Sequence, residues 1–331
     1  MINLIVAWCT EGIVVMQSNI VSEDEVLDYF VSLSNWNRWG RDDELGTLNF
    51  LSNENTRRAA SLVRDGCTVS CARTVMFEPG PDVNATPMHF MVESGEGWAS
   101  DNKLTNVSNQ GATDFFGMIF HGYTITHIDT PAHCFWKGEM YNGRPAHLVS
   151  TNLGATAESV ELAKHGIVAR GILVDVPKIR DVQWLDRGEG VMPSDIRAAE
   201  SSCGFEIEEG DVLLIRTGQL HRRNVEGPVD LEQLGSTACQ ASCLPLFHER
   251  GISMLGSDTP NDVMPSGYMS VPSPIHQVGI VAMGMWILDN ANLEELAIAC
   301  EARNRWEFML SIAPLRLHNT TGSPVNPLAI F

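Results

Sequence analysis

Two hydrophobic periods alternate along this chain. Continuous apolar runs stand at Ile172-Leu173-Val174-Asp175-Val176-Pro177, at Asp211-Val212-Leu213-Leu214-Ile215-Arg216-Thr217-Gly218 and at Ile252 to Leu255. Each reads as a strand buried on both faces. A further apolar run, Val281 to Leu288, ends at Asp289. Between them the apolar positions take helical spacing. Ser22-Glu23-Asp24-Glu25 opens a helix with acids in its first turn and a stripe of Val26, Leu27, Phe30 and Val31. Ser52 caps a helix through Arg64 that Gly66 ends, and Pro193-Ser194-Asp195 starts one that Gly204 stops. Ala157 to His165, Leu293 to Arg303 and Ser236 to Arg250 also read as helical, the last with a kink at Pro245.

The first half is less regular. Cys67 to Thr74 and Met88 to Glu93 read as strands around a Pro79-Gly80-Pro81 turn, and Ser94 to Gly111 is a long polar excursion. Phe115 to Phe120 is a short apolar run leading straight into a histidine-rich stretch, which would set that stretch at the end of a buried strand. Trp306 to Ala313 reads as the last strand, before a Gly/Pro-rich tail from Asn319. Helices alternate with strands, but the early strands and hairpin turns argue against a pure doubly wound sheet. The expected class is α+β, a mixed α/β fold. Without internal repeat or low-complexity linker, residues 21–331 read as a single unit behind a possible N-terminal extension, 1–20. Met1 to Met16 is apolar, lacks the basic start of a secretory signal and is too short to span a bilayer, so Met16 is a candidate true start.

Composition narrows the function. The 331 residues are 44% hydrophobic and 19% charged, enough to bury a sizeable core. The 41 acidic against 22 basic residues give a net charge of -19, which argues against nucleic acid and anionic membrane partners and says more about solubility than about substrate. The eight cysteines are scattered without a Cys-x-x-Cys pair, as expected for reduced thiols of a cytoplasmic protein. Cys239 and Cys243 would share a helix face and Cys67 and Cys71 a strand face, each without a second ligand pair. Cys134 reads as a buried thiol behind a site. No glycine-rich nucleotide loop and no Gly-x-Ser-x-Gly elbow is present.

What remains is His121-Gly122-Tyr123-Thr124-Ile125-Thr126-His127-Ile128-Asp129-Thr130-Pro131-Ala132-His133. His127 and Asp129 are two residues apart, so in a strand they point to one face, as two ligands of one ion must. Pro131 turns the chain, and His133 follows where it can stand beside an ion without binding it. Imidazole with carboxylate suits zinc, manganese or iron better than calcium or magnesium. The same spacing also describes a hydrogen-bonded core histidine beside a solvated acid.

The rest of the chain decides between these readings, because it resembles the cyclase-like metal-dependent hydrolases, which include bacterial kynurenine formamidase, isatin hydrolase and a dienelactone hydrolase. Their motif His-x-Gly-Thr-His-x-Asp-x-Pro-x-His has its second half here as Thr126-His127-Ile128-Asp129-Thr130-Pro131-Ala132-His133. Trp39-Gly40 with Glu44-Leu45-Gly46-Thr47-Leu48-Asn49, Lys137-Gly138-Glu139-Met140-Tyr141-Asn142-Gly143, and Ala313-Pro314-Leu315-Arg316 with Gly322-Ser323-Pro324-Val325-Asn326-Pro327 are similar to its longer branch. The resemblance implies a swivelling β/β/α fold, a divalent metal, Mn or Zn, and a homodimer or homotetramer. It implies His127 and Asp129 as ligands, His133 as the catalytic histidine, His276 as the distal ligand, and Asp289 near the family's ligand glutamate. Tyr123 stands where the family has its first histidine, and Ile125-Thr126 where it has Gly-Thr. The site then holds one ion instead of two, or His121 substitutes from the same strand face. Asp258 is open between support for a ligand histidine and turn formation. The implied reaction is hydrolysis of an amide, formamide, lactam or lactone bond in a small-molecule substrate by metal-activated water, with His133 carrying the proton and Trp36, Trp39, Phe135 and Trp136 as an apolar wall. A lyase or cyclase on the same metal site, or a non-catalytic binding protein, are the alternatives.

Overall fold

The computed structural model describes residues 20–96 and 111–331. The segment 1–19, with nearly all of the expected extension, and 97–110, with most of the expected polar excursion, lie outside the described residues. The apolar runs form the middle of a nine-stranded sheet. In chain order its strands are β1 (Thr68–Ser70), β2 (His127–Asp129), β3 (Ile167–Asp175), β4 (Val212–Arg216), β5 (Met254–Ser257), β6 (Trp286–Asp289), β7 (Glu307–Ile312), β8 (Gly322–Pro324) and β9 (Leu328–Ile330). Across the sheet the order is β1-β9-β7-β3-β4-β5-β6-β2-β8. Strands β3 to β6 run parallel, and every pairing outside them is antiparallel. Parallel strands are covered on both faces, which is why their sequences are continuously apolar. The mixed α/β class expected from the sequence is the class observed.

Helices supply the cover. Glu294–Arg303 packs on β1 and β3, Asn53–Ala60 on β3 and β7, and Pro274–Val281 on β6 beside Glu23–Ser32 and Leu244–Arg250. Their ends follow local chemistry. Ser22 caps the first helix, and Ser52 with Asn55 forms a capping box. Pro193 sits in the first turn of Pro193–Cys203, and Gly204 ends that helix at φ 72°.

Several elements differ from expectation. Val31 is 78% exposed, and Tyr29 and Leu33 are buried in its stead. The Ser52 helix stops at Ala60, the Cys67 strand is only Thr68–Ser70, and Ala157 to His165 contains just a 3-10 turn, Val160–Ala163. Ser236 to Arg250 is a two-residue strand, Ala238–Cys239, then a 3-10 turn and the helix Leu244–Arg250. Pro245 lies in the first turn of that helix, where a missing N–H is harmless, so it kinks nothing. Cys239 and Cys243 are therefore on no common helix face, although both are fully buried. Trp306 to Ala313 is not the last strand, because the Gly/Pro-rich tail forms β8 and β9. Finally, Thr113–Gly117 pairs only with Met88–Glu93, in a two-stranded ribbon. Phe90, Phe115 and Phe116 on it are exposed, so the stretch before His121 is no buried strand.

Two packing constraints fix the site strand. β2 lies between β6 and β8, and Gly322 of β8 stands opposite Asp129. A Cβ on Gly322 would fall 2.2 Å from Ile128 O and 3.2 Å from His121 Cε1. On the other side, Ala132 packs with buried Met140, Ala155 and Ala157, which ties the turn after β2 to the loop 136–158. That loop holds Glu158 fully buried, with Oε2 lacking a hydrogen-bond partner and Oε1 3.4 Å from Arg144 Nη1. Burial pushes the Glu158 carboxyl up to about 9; Glu44 and Asp43 add to this and Arg144 opposes it.

These two features make separate predictions. Gly322→Ala should lower the unfolding free energy by about 1–3 kcal/mol, the usual cost of overpacking, and a denaturant melt that matches the unchanged chain would remove the close-approach argument. Because the folded pKa of Glu158 lies above its unfolded value, its contribution falls as pH rises between the two. Glu158→Gln should therefore stabilise the chain more at about pH 8 than at about pH 5, by at most about 4 kcal/mol from 1.36 kcal/mol per pH unit. Equal melting shifts at both pH values would contradict this.

Candidate metal centre

The register of β2 brings the chemistry together. His127 pairs across from Asp289 of β6, so the two side chains are neighbours on one face. Asp129, two residues on, shares that face. The turn Thr130-Pro131-Ala132-His133, closed by His133 N donating to Thr130 O at 2.9 Å, returns His133 to the same place. His276 arrives from the first turn of Pro274–Val281, and His121 from the chain just before β2.

Asp129 is the common point. His121 Nδ1 lies 2.9 Å and His127 Nε2 3.5 Å from its Oδ1, while His276 Nε2 lies 3.5 Å and His133 Nε2 3.7 Å from its Oδ2. Asp289 Oδ2 is 3.3 Å from His276 Nε2 and 3.8 Å from His127 Nε2. Two sets of three donors result, His121 with Asp129 and His133, and His127 with Asp129 and Asp289. Asp129 is fully buried, and its oxygens face only ring nitrogens; the shortest approach, His121 Nδ1 to Oδ1 at 2.9 Å, is off the hydrogen-bond direction. Buried carboxylates are normally hydrogen-bonded. Donors on a tetrahedral ion with bonds of about 2.1 Å stand about 3.4 Å apart, close to most of the separations seen. The buried cluster fits a metal site.

The outer partners orient the donors. His127 Nδ1 faces Ile125 O at 2.8 Å, which places the proton there and turns a bare Nε2 inward. His276 Nδ1 lies 2.6 Å from Asp262 Oδ2, again leaving Nε2 for the centre. Asp262 also accepts from the backbone N–H groups of Ile275 and His276, so one carboxylate anchors both the ring and its helix. Asn261 donates from its backbone N–H and Nδ2 to Asp289 Oδ1, which frees Oδ2. His121 Nε2 is 3.0 Å from Thr321 Oγ1, and its ring stacks on His133 at 4.1 Å and 11°.

Electrostatics differentiate the groups. Burial raises the Asp129 carboxyl, but His133 and His127 outweigh this and hold it well below the usual range. Burial also lowers His276, but Asp289, Asp129 and Asp262 raise it well above the usual imidazole value. His133 is lowered to about 4, by burial first, with Asp129 opposing and the other three imidazoles adding to the fall. It is therefore neutral near pH 7, and with 26% of its side chain exposed it reaches solvent.

All six residues singled out in the sequence converge here: His121, His127, Asp129, His133, His276 and Asp289. Tyr123 does not. It lines a recess with Arg73 and Arg223, and its phenol is raised by burial and by Glu232. Asp258 touches no site histidine; its carboxylate accepts from Thr217 N and Oγ1 and from Gly218 N, joining the ends of β4 and β5. The supporting acid is Asp262, in the same Asp-Thr-Pro-Asn-Asp segment but four residues later. Trp36 donates to Val281 O, Trp39 packs edge-on to Phe50, and Trp136 stacks on Phe30, so all three anchor the shell. The aromatic ring beside the cluster is Phe120, 4.5 Å from His121 and 5.8 Å from His127. Cys134 is only half-buried at its surface, and burial of its thiol pushes it up to about 12. His89 pairs with Asp114 and His318 with Glu161, both on the surface.

Comparison with known proteins places the fold and the family. The crystal structure of a novel cyclase superposes with a TM-score of 0.82 at 27% identity, over 91% of this chain and all of the other. Isatin hydrolase A from Labrenzia aggregata, bound to benzyl benzoate, shares the fold with a TM-score of 0.55 at 22% identity, over 84% of this chain and 98% of its own. A predicted metal-dependent hydrolase from Bacillus stearothermophilus shares it at 0.50 and 17% identity, over 80% and 98%. No curated protein matches. The model of the cyclase family, described as "Putative cyclase", matches residues 65–261. That match covers more than half of the chain and includes the β2 motif, and this protein belongs to the cyclase family.

Proposed function

We propose that the chain is a metal-dependent hydrolase that adds water across the acyl C–N or C–O bond of a small cyclic or aromatic amide, formamide, lactam or lactone. The observation that carries this reading is Asp129, a fully buried carboxylate whose oxygens have the ring nitrogens of four histidines 2.9–3.7 Å away and no other donor. His127, Asp129, Asp289 and His276 would hold a divalent ion, manganese or zinc by their donor types, with His121 taking the place that Tyr123 leaves. When bound, such an ion polarises a carbonyl and acidifies water. The isatin hydrolase that shares the fold is named for a reaction of this class.

The chain's own residues do the rest. Asp262 and Asn261 keep His276 and Asp289 turned inward. His133, neutral and partly exposed, accepts the proton of the attacking water at Nε2 and returns it to the departing nitrogen or oxygen. Phe120 packs against the rings of His121 and His127 on one side. The assembly is proposed as a homodimer or homotetramer, and the exposed phenylalanines of the ribbon are a surface it would cover.

Screening the metal-loaded chain against formamides, cyclic imides and lactones, with product mass followed, should give ring-opened products heavier by one water from the imides and lactones, and an amine plus formate from the formamides. Products that together have taken up no water would point to ring closure or elimination. On the substrate so found, His133→Ala should keep its metal and lose about 10²–10⁴-fold in rate. Asp129→Ala should lose the metal itself. Metal analysis should further show weakened retention in His121→Ala and full retention in Tyr123→Phe; full activity of His133→Ala and Asp129→Ala together would end the assignment.

A further inference from the structure

Apart from the histidine cluster, the carboxyl ends of three parallel strands border a groove of about 420 Å3 that adjoins a smaller inner recess. The chain after β4 lends Leu220 and Arg223, that after β5 lends Thr259 and Pro260, and that after β6 lends Asn290 and Asn292. Parallel sheets commonly take ligands at these ends, and the groove is of ordinary ligand size.

Its charge is unusual for so acidic a chain. Arg73 and Arg223 line both spaces, and Arg187 lines the recess. Arg73 donates through Nη1 to Tyr123 O at 2.9 Å and through Nη2 to Asp258 O, both neutral carbonyls, and its Nε is buried without a partner. Arg187 has the same buried, unpartnered Nε, and its Nη2 stands 3.5 Å from Glu226. Among the described lining residues the recess has one carboxylate, Asp82, already held by Arg223 with Nη2 donating to Oδ1 at 3.1 Å. Glu78 lines the outer groove. A guanidinium buried without a counter-charge is expensive, and a carboxylate matches its fork with two hydrogen bonds.

We infer that the groove and its inner recess together form an anion site that binds a small carboxylate, its charged end set in the recess between Arg73, Arg187 and Arg223. The inference is independent of the metal reading, since none of these arginines belongs to the cluster. Isothermal titration of the purified chain with benzoate and acetate tests it, with inorganic phosphate and chloride as separate arms. Saturable carboxylate binding is expected, weakened by at least about tenfold in Arg223→Gln and in Arg187→Gln, and retained in Asp129→Ala. Phosphate binding more tightly than either carboxylate, a response equal to that of chloride, or unchanged affinity in both arginine variants would overturn it. If the variants fail to fold, phenylglyoxal modification of the unaltered chain read by mass spectrometry decides: protection of Arg187 or Arg223 by benzoate is expected, and absence of protection contradicts the site.

Discussion

The structure turns on one buried charge. Asp129 has no exposed surface, and the only donors its oxygens face are the nitrogens of His121, His127, His133 and His276. An isolated carboxylate in such a place costs several kcal/mol. Imidazoles alone offset this only by taking up protons, as His276 shows by its raised pKa. A divalent ion offsets it with the lone pairs of the same side chains and leaves the rings neutral. The outer hydrogen bonds already fix the rings for that role. His127 and His276 each commit Nδ1 outward, to Ile125 O and Asp262, so that Nε2 is what the centre receives.

The fold serves this centre by an exception to its own rule. Four parallel strands make a conventional α/β interior, and a three-residue antiparallel strand is then inserted beside β6. In the antiparallel register of β2 with β6, His127 comes opposite Asp289 although β3, β4 and β5 lie between them in the chain. β8 from the far end of the chain closes its other side, where only glycine allows the approach to Ile128 and His121. Residues near 125, 261, 276, 289 and 322 thus meet through pairing of strands, and rigid elements hold the donors.

What was legible in the sequence follows from what is local. The parallel strands were visible because burial on both faces leaves an uninterrupted apolar run, and the Pro193–Cys203 helix because Pro193 and Gly204 mark its ends chemically. The histidine motif was visible because period-two spacing already sets His127 and Asp129 on one face. Hidden were features that depend on distant partners. Gly322-Ser323-Pro324 has the composition of a turn and becomes a strand only because β2 offers a free edge. Asp262 and Asp258 lie in one short segment, and only the position of the Pro274–Val281 helix decides that the former supports His276. The exchange of Tyr123 for His121 was left open by the sequence, and in the structure His121 stands in the cluster with Tyr123 outside it. Val31 misled because helical spacing marks an apolar stripe without saying whether a partner covers its edge.

The claim that Asp129 and the histidines around it would hold a metal ion is tested most directly by anomalous scattering from crystals grown with manganese or zinc. An anomalous peak should appear at about 2.0–2.3 Å from His127 Nε2 and an Asp129 oxygen, the range of such bonds, with His276 and Asp289 in reach of the same density or a neighbouring peak. Well-ordered crystals soaked in either ion that show no peak among these side chains, or a peak only elsewhere on the molecule, would contradict the account.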